Sequence, residues 1–252
     1  MSSWSFVDIG EYNFSSSDLQ SIPTYDAGFI VASSLAVTDI NVLLRNTILA
    51  LNGRRFVGKT RRLKMINASD ALVHDRALSA KIVEYCKLFR DYHKKLQRAN
   101  SDASVVEYLL EAISKIDGAD EFRVAKWLRD NLTNHVILNE IEKFLSGLHD
   151  KEVYSIFLSK MQGNTWHVLC DQVATMGKFG EFDDPSTMLN RWQDWILTSC
   201  KTTIHVHNQA LIALIEKHFP TKIVHMHRTI VDDRLIQDLH QANSPLFWKL
   251  AE

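Results

Sequence analysis

The stretch LSAKIVEYCKLFRDYHKKL, residues 78–96, decides the fold class. Leu78, Ile82, Tyr85, Phe89, Tyr92 and Leu96 recur at alternating steps of four and three. Lys81, Glu84, Lys87, Arg90 and Lys94 fill the opposite face. That is the period of an amphipathic helix with a wide apolar stripe turned to a core. Upstream, Val37, Ile40, Leu44, Ile48 and Leu51 repeat the pattern, and Asn52-Gly53 closes it as a helix C-cap would. Downstream, Asn100-Ser101-Asp102 resets the chain. Shorter helical patterns follow through Val105–Ile116, Phe122–Leu132 and Ile137–Leu148. Asn131, Thr133 and Asn134 weaken the middle one, because such side chains compete for backbone hydrogen bonds.

After Asp150 the helical period fades. Val153–Ser159 and Thr165–Cys170 are rich in β-branched and aromatic residues, with Gln162-Gly163-Asn164 between them, so a small hairpin is predicted there. Asp184-Pro185 is a helix start. The helix it opens carries Leu189, Trp192, Ile196 and Ser199, is open to a break at Thr202–Val206, and stops at Pro220. A short strand at Ile223–Ile230 and a small helix through Leu235, Ile236 and Leu239 complete the reading. The predicted fold is all-α, with a small β-hairpin and a C-terminal helical extension. Residues 1–149 form a helical bundle and 150–252 pack on it as one globular unit.

Composition narrows the function. The 252 residues hold 29 Lys+Arg against 30 Asp+Glu, for a net charge of −1, which is not the balance of a protein that coats duplex nucleic acid. Nine Gly, four Pro and three Cys exclude collagen, low-complexity and disulfide-scaffold classes. Cys86, Cys170 and Cys200 are odd in number and far apart, as in reduced cytoplasmic proteins. No signal peptide pattern opens the chain. The apolar run 27–51 is interrupted by Asp39, Asn41, Arg45 and Asn46, so no membrane segment is expected.

Two motifs fit chemistry poorly. Gly53-x4-Gly58-Lys59-Thr60 matches a phosphate-loop expression, but a helix precedes it where a strand is required. His205-x-His207 and His225-x-His227 invite a metal-dependent hydrolase reading. On a helix, residues two apart point about 200° away from each other, and the first pair falls in a helical pattern. No metal or other cofactor is expected.

The informative stretch is Trp127-Leu128-Arg129-Asp130-Asn131-Leu132-Thr133-Asn134-His135. An Arg is followed by a polar residue and, six positions on, by a His. Two long helices and a third precede it. Arg234 and His240 repeat the spacing, but apolar Leu235 follows that Arg. The order resembles the HEPN superfamily over residues 26–148. The resemblance implies a helical bundle that dimerises so that two Arg–His motifs meet at one cleft and cut single-stranded RNA without a metal. A toxin or phage-defence effector, with an antitoxin or other protein partner, belongs to the same expectation. The residue types suit it. Imidazole exchanges a proton near neutral pH, so His135 is the expected general acid/base. A guanidinium is a permanent bidentate cation for a phosphorane, so Arg129 is the expected charge stabiliser. Asp130 would orient either group, and Asn131 or Asn134 would hold a phosphate oxygen. Arg61 and Arg62, in a basic loop over 54–66, would steer the RNA backbone. Six residues of straight helix separate two side chains by about 120° and about 9 Å. The helix must therefore break at 131–134, or a second subunit must complete the site. The alternative function is a non-catalytic helical dimerisation module.

Overall fold

The computed structural model describes residues 5–53, 60–101, 103–134, 137–145, 154–156, 168–222 and 224–231. Of residues 5–9, 49–53, 62, 63, 105 and 227–231 it describes the backbone alone. The chain is mainly helical, with one two-stranded antiparallel sheet. It forms two compact units, residues 25–213 and a smaller one built from residues 1–24 with 214–252. The division differs from the expected one at 149/150, a position outside the described residues.

In the larger unit, α2 (Thr24–Gly53) and α3 (Arg61–Arg98) are the long elements. The stripe of α3 predicted from its period is the core: Leu78, Ile82, Tyr85, Phe89, Tyr92 and Leu96 are all at most 2% exposed. Burying each such side chain is worth about 1.5–3 kcal/mol. From α2, Phe29 stacks on Tyr92 at 4.0 Å, and Val37, Ile40 and Leu44 are buried as their spacing predicts. The helix α3 begins at Arg61, so Arg61, Arg62 and Lys64 lie in a first helical turn rather than in the expected basic loop. Lys64 N–H donates to the Thr60 carbonyl there. Arg, Lys, Leu and Met, none branched at Cβ, are strong helix formers, which outweighs the unfavourable meeting of cations with a helix N-terminus. The far end closes on Asn100, whose φ of 48° places it in the left-handed region while Ser101 N–H reaches back to the Leu96 carbonyl.

Helices α4 (Ser104–Glu107), α5 (Leu110–Asp117) and α6 (Asp120–Leu128) follow. The last runs into a π-helical turn, Arg129–Thr133, and α7 is Leu138–Leu145. A second π turn, Asp171–Thr175, joins α8 (Val168–Cys170) to α9 (Met176–Phe179). The hairpin predicted over 153–170 is overturned where it is described, because Val168–Cys170 is helical. The rest of it lies outside the described residues, apart from 154–156, which hold no strand. Its Val168 serves packing instead and is buried. The helix α10 runs unbroken over Pro185–His218. Asp184 caps it through Thr187 N–H at 3.0 Å, as predicted. The break expected at Thr202–Val206 does not occur, since Thr203 and Val206 sit buried on its inner face.

The smaller unit holds α1 (Ser16–Ser21), capped by Ser15, and a sheet of β1 (Ser5–Glu11) with β2 (His225–Val231). The second strand matches the one predicted at 223–230. The register pairs Ser5 with Val231 and Glu11 with His225. Lys222 Nζ bonds the Asn13 carbonyl and Asp18, and lies 5.0 Å from the Phe14 ring. That ammonium and the Ser15 N–H hold the Asp18 carboxyl down at about 2. The small helix predicted through Leu235, Ile236 and Leu239 lies outside the described residues.

The helix α2 has the length and mean hydropathy of a membrane span over Thr24–Ile48, although 28% of that window is buried in the fold. The polar interruptions that argued against any such segment leave its hydropathy at 1.8.

Candidate functional site

Arg129 opens the π turn that ends α6. Asn134 N–H donates to the Arg129 carbonyl, five residues back, which widens the last turn. Asn131 Nδ2 donates to the Trp127 carbonyl at 2.8 Å and Thr133 Oγ1 to the Leu128 carbonyl at 3.2 Å. These are the side chain–backbone bonds that the run Asn131–Asn134 was expected to make, and the straight helix stops there. Ile137 N–H then returns to the Asn131 carbonyl. π turns are scarce and recur at functional sites.

The Arg129 side chain is 15% exposed, and its Nε and Nη2 both donate to Asp130 Oδ1, at 2.8 and 2.5 Å. Asp130 is thus the carboxylate that Arg129 bonds among the described residues. Asn131 has one amide hydrogen committed to the backbone, so its expected grip on a phosphate is reduced to the remaining one. Asn134 is exposed beside them. His135 lies outside the described residues. Arg61 is exposed on the first turn of α3, and of Arg62 the backbone alone is described. No hydrogen bond or ion pair among the described residues joins Arg61 to Arg129 or Asp130. The π turn packs on α3 and α6. Beside α6, Trp127 meets the Phe144 ring edge-on at 5.7 Å and carries Lys178 Nζ 5.0 Å from its ring centre. Gly177 closes that cluster, since a Cβ there would lie 2.6 Å from the Phe144 ring.

The first histidine pair divides as helix geometry requires. His205 is exposed and His207 buried, on opposite sides of α10. His225 is exposed on β2. Among the described residues no three His, Cys, Asp or Glu side chains stand close enough to hold a metal ion. Gly58 and Lys59 of the phosphate-loop match lie outside the described residues.

Two polar clusters escaped the sequence reading. On the second π turn, buried Asp171 accepts from Ser69 and Arg76, and Arg76 also donates to Thr175 Oγ1 at 2.7 Å. In the core, Tyr85 Oη, Thr203 Oγ1 and His207 Nδ1 are buried without a hydrogen-bond partner among the described residues, the Tyr85 and His207 rings meeting edge-on at 6.3 Å. Burial pushes the His207 imidazole down to about 4 and the Tyr85 phenol above its ordinary range.

No protein-family model, curated protein or solved structure shows significant similarity to this chain.

Proposed function

We propose that this chain is a metal-independent endoribonuclease of HEPN-like architecture, working in the cytoplasm as a homodimer on single-stranded RNA. The observation that carries the reading is the π turn at Arg129–Thr133. It ends the helix between the motif's Arg and His and holds the guanidinium on Asp130. RNA brings its own nucleophile, the 2′-OH. His135 takes that proton, or returns one to the leaving 5′-oxygen. Arg129, pinned in one orientation at a part-buried position, meets the negative charge that develops on phosphorus. Screening by solvent is weaker at 15% exposure than on an open helix face, so the cation acts more strongly there.

The test is a cleavage assay on single-stranded RNA in EDTA. The wild type cuts, while His135→Ala and Arg129→Ala each lose at least about a hundredfold with circular dichroism unchanged, the usual worth of one acid/base group and of one charge-stabilising donor. Full activity in either variant overturns the assignment.

A second reading is a non-catalytic dimerisation module. It is favoured by the exposed face of α2, where Gly28, Val31, Leu35, Thr38 and Val42 follow steps of three and four, with Val31, Leu35 and Val42 at 58, 65 and 49% exposure. A strict 3–4 spacing is the seam of paired helices, and a second copy would cover it by two-fold symmetry. Under this reading Leu35→Lys converts a dimer to a monomer in light scattering, and the unsubstituted protein leaves RNA intact.

A further inference from the structure

An open cleft of about 710 Å³ lies between α5 and α10, apart from the Arg129 turn in sequence and lined by other residues. One wall is the face Tyr108, Glu111, Ala112, Lys115 and Ile116. The other is Arg191, Asp194, Trp195, Thr198, Ser199 and Thr202. Each set follows helical steps of three and four, so the cleft is a straight groove. From Arg191 to Thr202 it runs about 16 Å at 1.5 Å per residue.

Its chemistry is aromatic and anionic. Trp195 is a fixed platform, since its Nε1 donates to the Ile116 carbonyl at 3.3 Å and Phe122 braces it edge-on. Tyr108 stands at the rim, 58% exposed. Both cations of the lining are already paired within its walls, Lys115 with Glu111 at 2.8 Å and Arg191 with Glu121 at 2.5 Å. Asp194 carries a carboxylate with no such partner. Ser199 is 2% exposed, lines the groove, and its hydroxyl makes no hydrogen bond among the described residues. A donor group entering the groove can bond the hydroxyl there.

We infer that this groove binds a linear organic polyamine. Ammonium groups would lie over the indole and phenol faces, where ring quadrupoles attract cations, with one at Asp194 and one donating to Ser199. The methylenes between them would cover Ala112 and Ile116. An anion would meet only cations that are already paired, and a metal ion would find Asp194 as the one lining carboxylate with no cation beside it among the described residues.

Calorimetric titration of the intact protein with spermidine tests this. Saturable one-to-one binding is expected, weakened about two- to fivefold by Asp194→Asn and by Tyr108→Ala, the scale of one exposed charge or cation–π contact. Both side chains are exposed, so both variants fold. Magnesium chloride at equal charge separates site binding from general screening, and trilysine separates a free amine from a lysine-rich peptide. Absence of saturation by spermidine, equal binding by Asp194→Asn, or tighter binding of magnesium or trilysine overturns the inference. The readout is independent of RNA cleavage, so the two proposals stand or fall separately.

Discussion

His207 is a neutral imidazole in a place where water cannot reach its Nδ1. Its surroundings are Tyr85 from α3 and Thr203 from α10, and no carboxylate pairs with it. Its pKa is about 4 in the fold against about 6.5 when unfolded, so between those values the unfolded chain binds a proton that the native chain refuses. Stability is therefore complete above pH 6.5 and falls as pH drops toward 4, by about 3 kcal/mol at the conversion of about 1.4 kcal/mol per unit. Urea titrations at pH 7 and pH 5, about 1.5 units below the unfolded value, are expected to show about 2 kcal/mol of this loss, and His207→Gln to flatten it. Gly177 gives a second prediction at this scale. A Cβ would overlap both the ring and Cβ of Phe144, so Gly177→Ala costs about 1–3 kcal/mol as an overpacked contact, read as a lower urea midpoint. Of these features the sequence disclosed little. Arg129 and Asp130 were legible because they are adjacent. The orphaned core atoms were not, since His205 and His207 look alike in one dimension and only the helix face separates them.

At the scale of the element, the two π turns have different uses. The first ends α6 at the motif, and its signal was present in Asn131, Thr133 and Asn134, residues that bond their own backbone. The second aims Asp171 into α3, where Ser69 and Arg76 hold it. That pairing spans 95 positions, and no local pattern announces it. Asp171→Ala would leave the Arg76 guanidinium buried without its counter-ion, and removing one partner of a buried pair costs about 3–5 kcal/mol. With Arg76 at 17% exposure the lower end is expected. Asp171→Asn, which still accepts from Ser69, should lose less, and thermal unfolding of the pair of variants checks the order. The long helices were legible because a six-residue stripe fixes a 3.6 period beyond ambiguity. The misread segments were short and β-branched, where local preference is weak and packing decides.

Across the whole molecule, three thiols report on the larger unit. Cys86 and Cys200 are buried and their thiols pushed up to about 12 by desolvation, while Cys170 is exposed. Thiolate is the reactive form, so a disulfide reagent at pH 8 should titrate one thiol in the folded protein and three in guanidinium. Rapid labelling of all three in the native state would contradict the burial of α3 and α10.

The sheet has a consequence in time. The residues of β1 leave the ribosome more than two hundred residues before their partners at His225–Val231. At roughly 5–20 residues per second, translation leaves that strand single for about ten to forty seconds. An isolated pair of strands is marginal in water, and a lone strand is an open template for a stranger's backbone. The nascent chain thus carries an exposed pairing edge until His225–Val231 emerge to retire it.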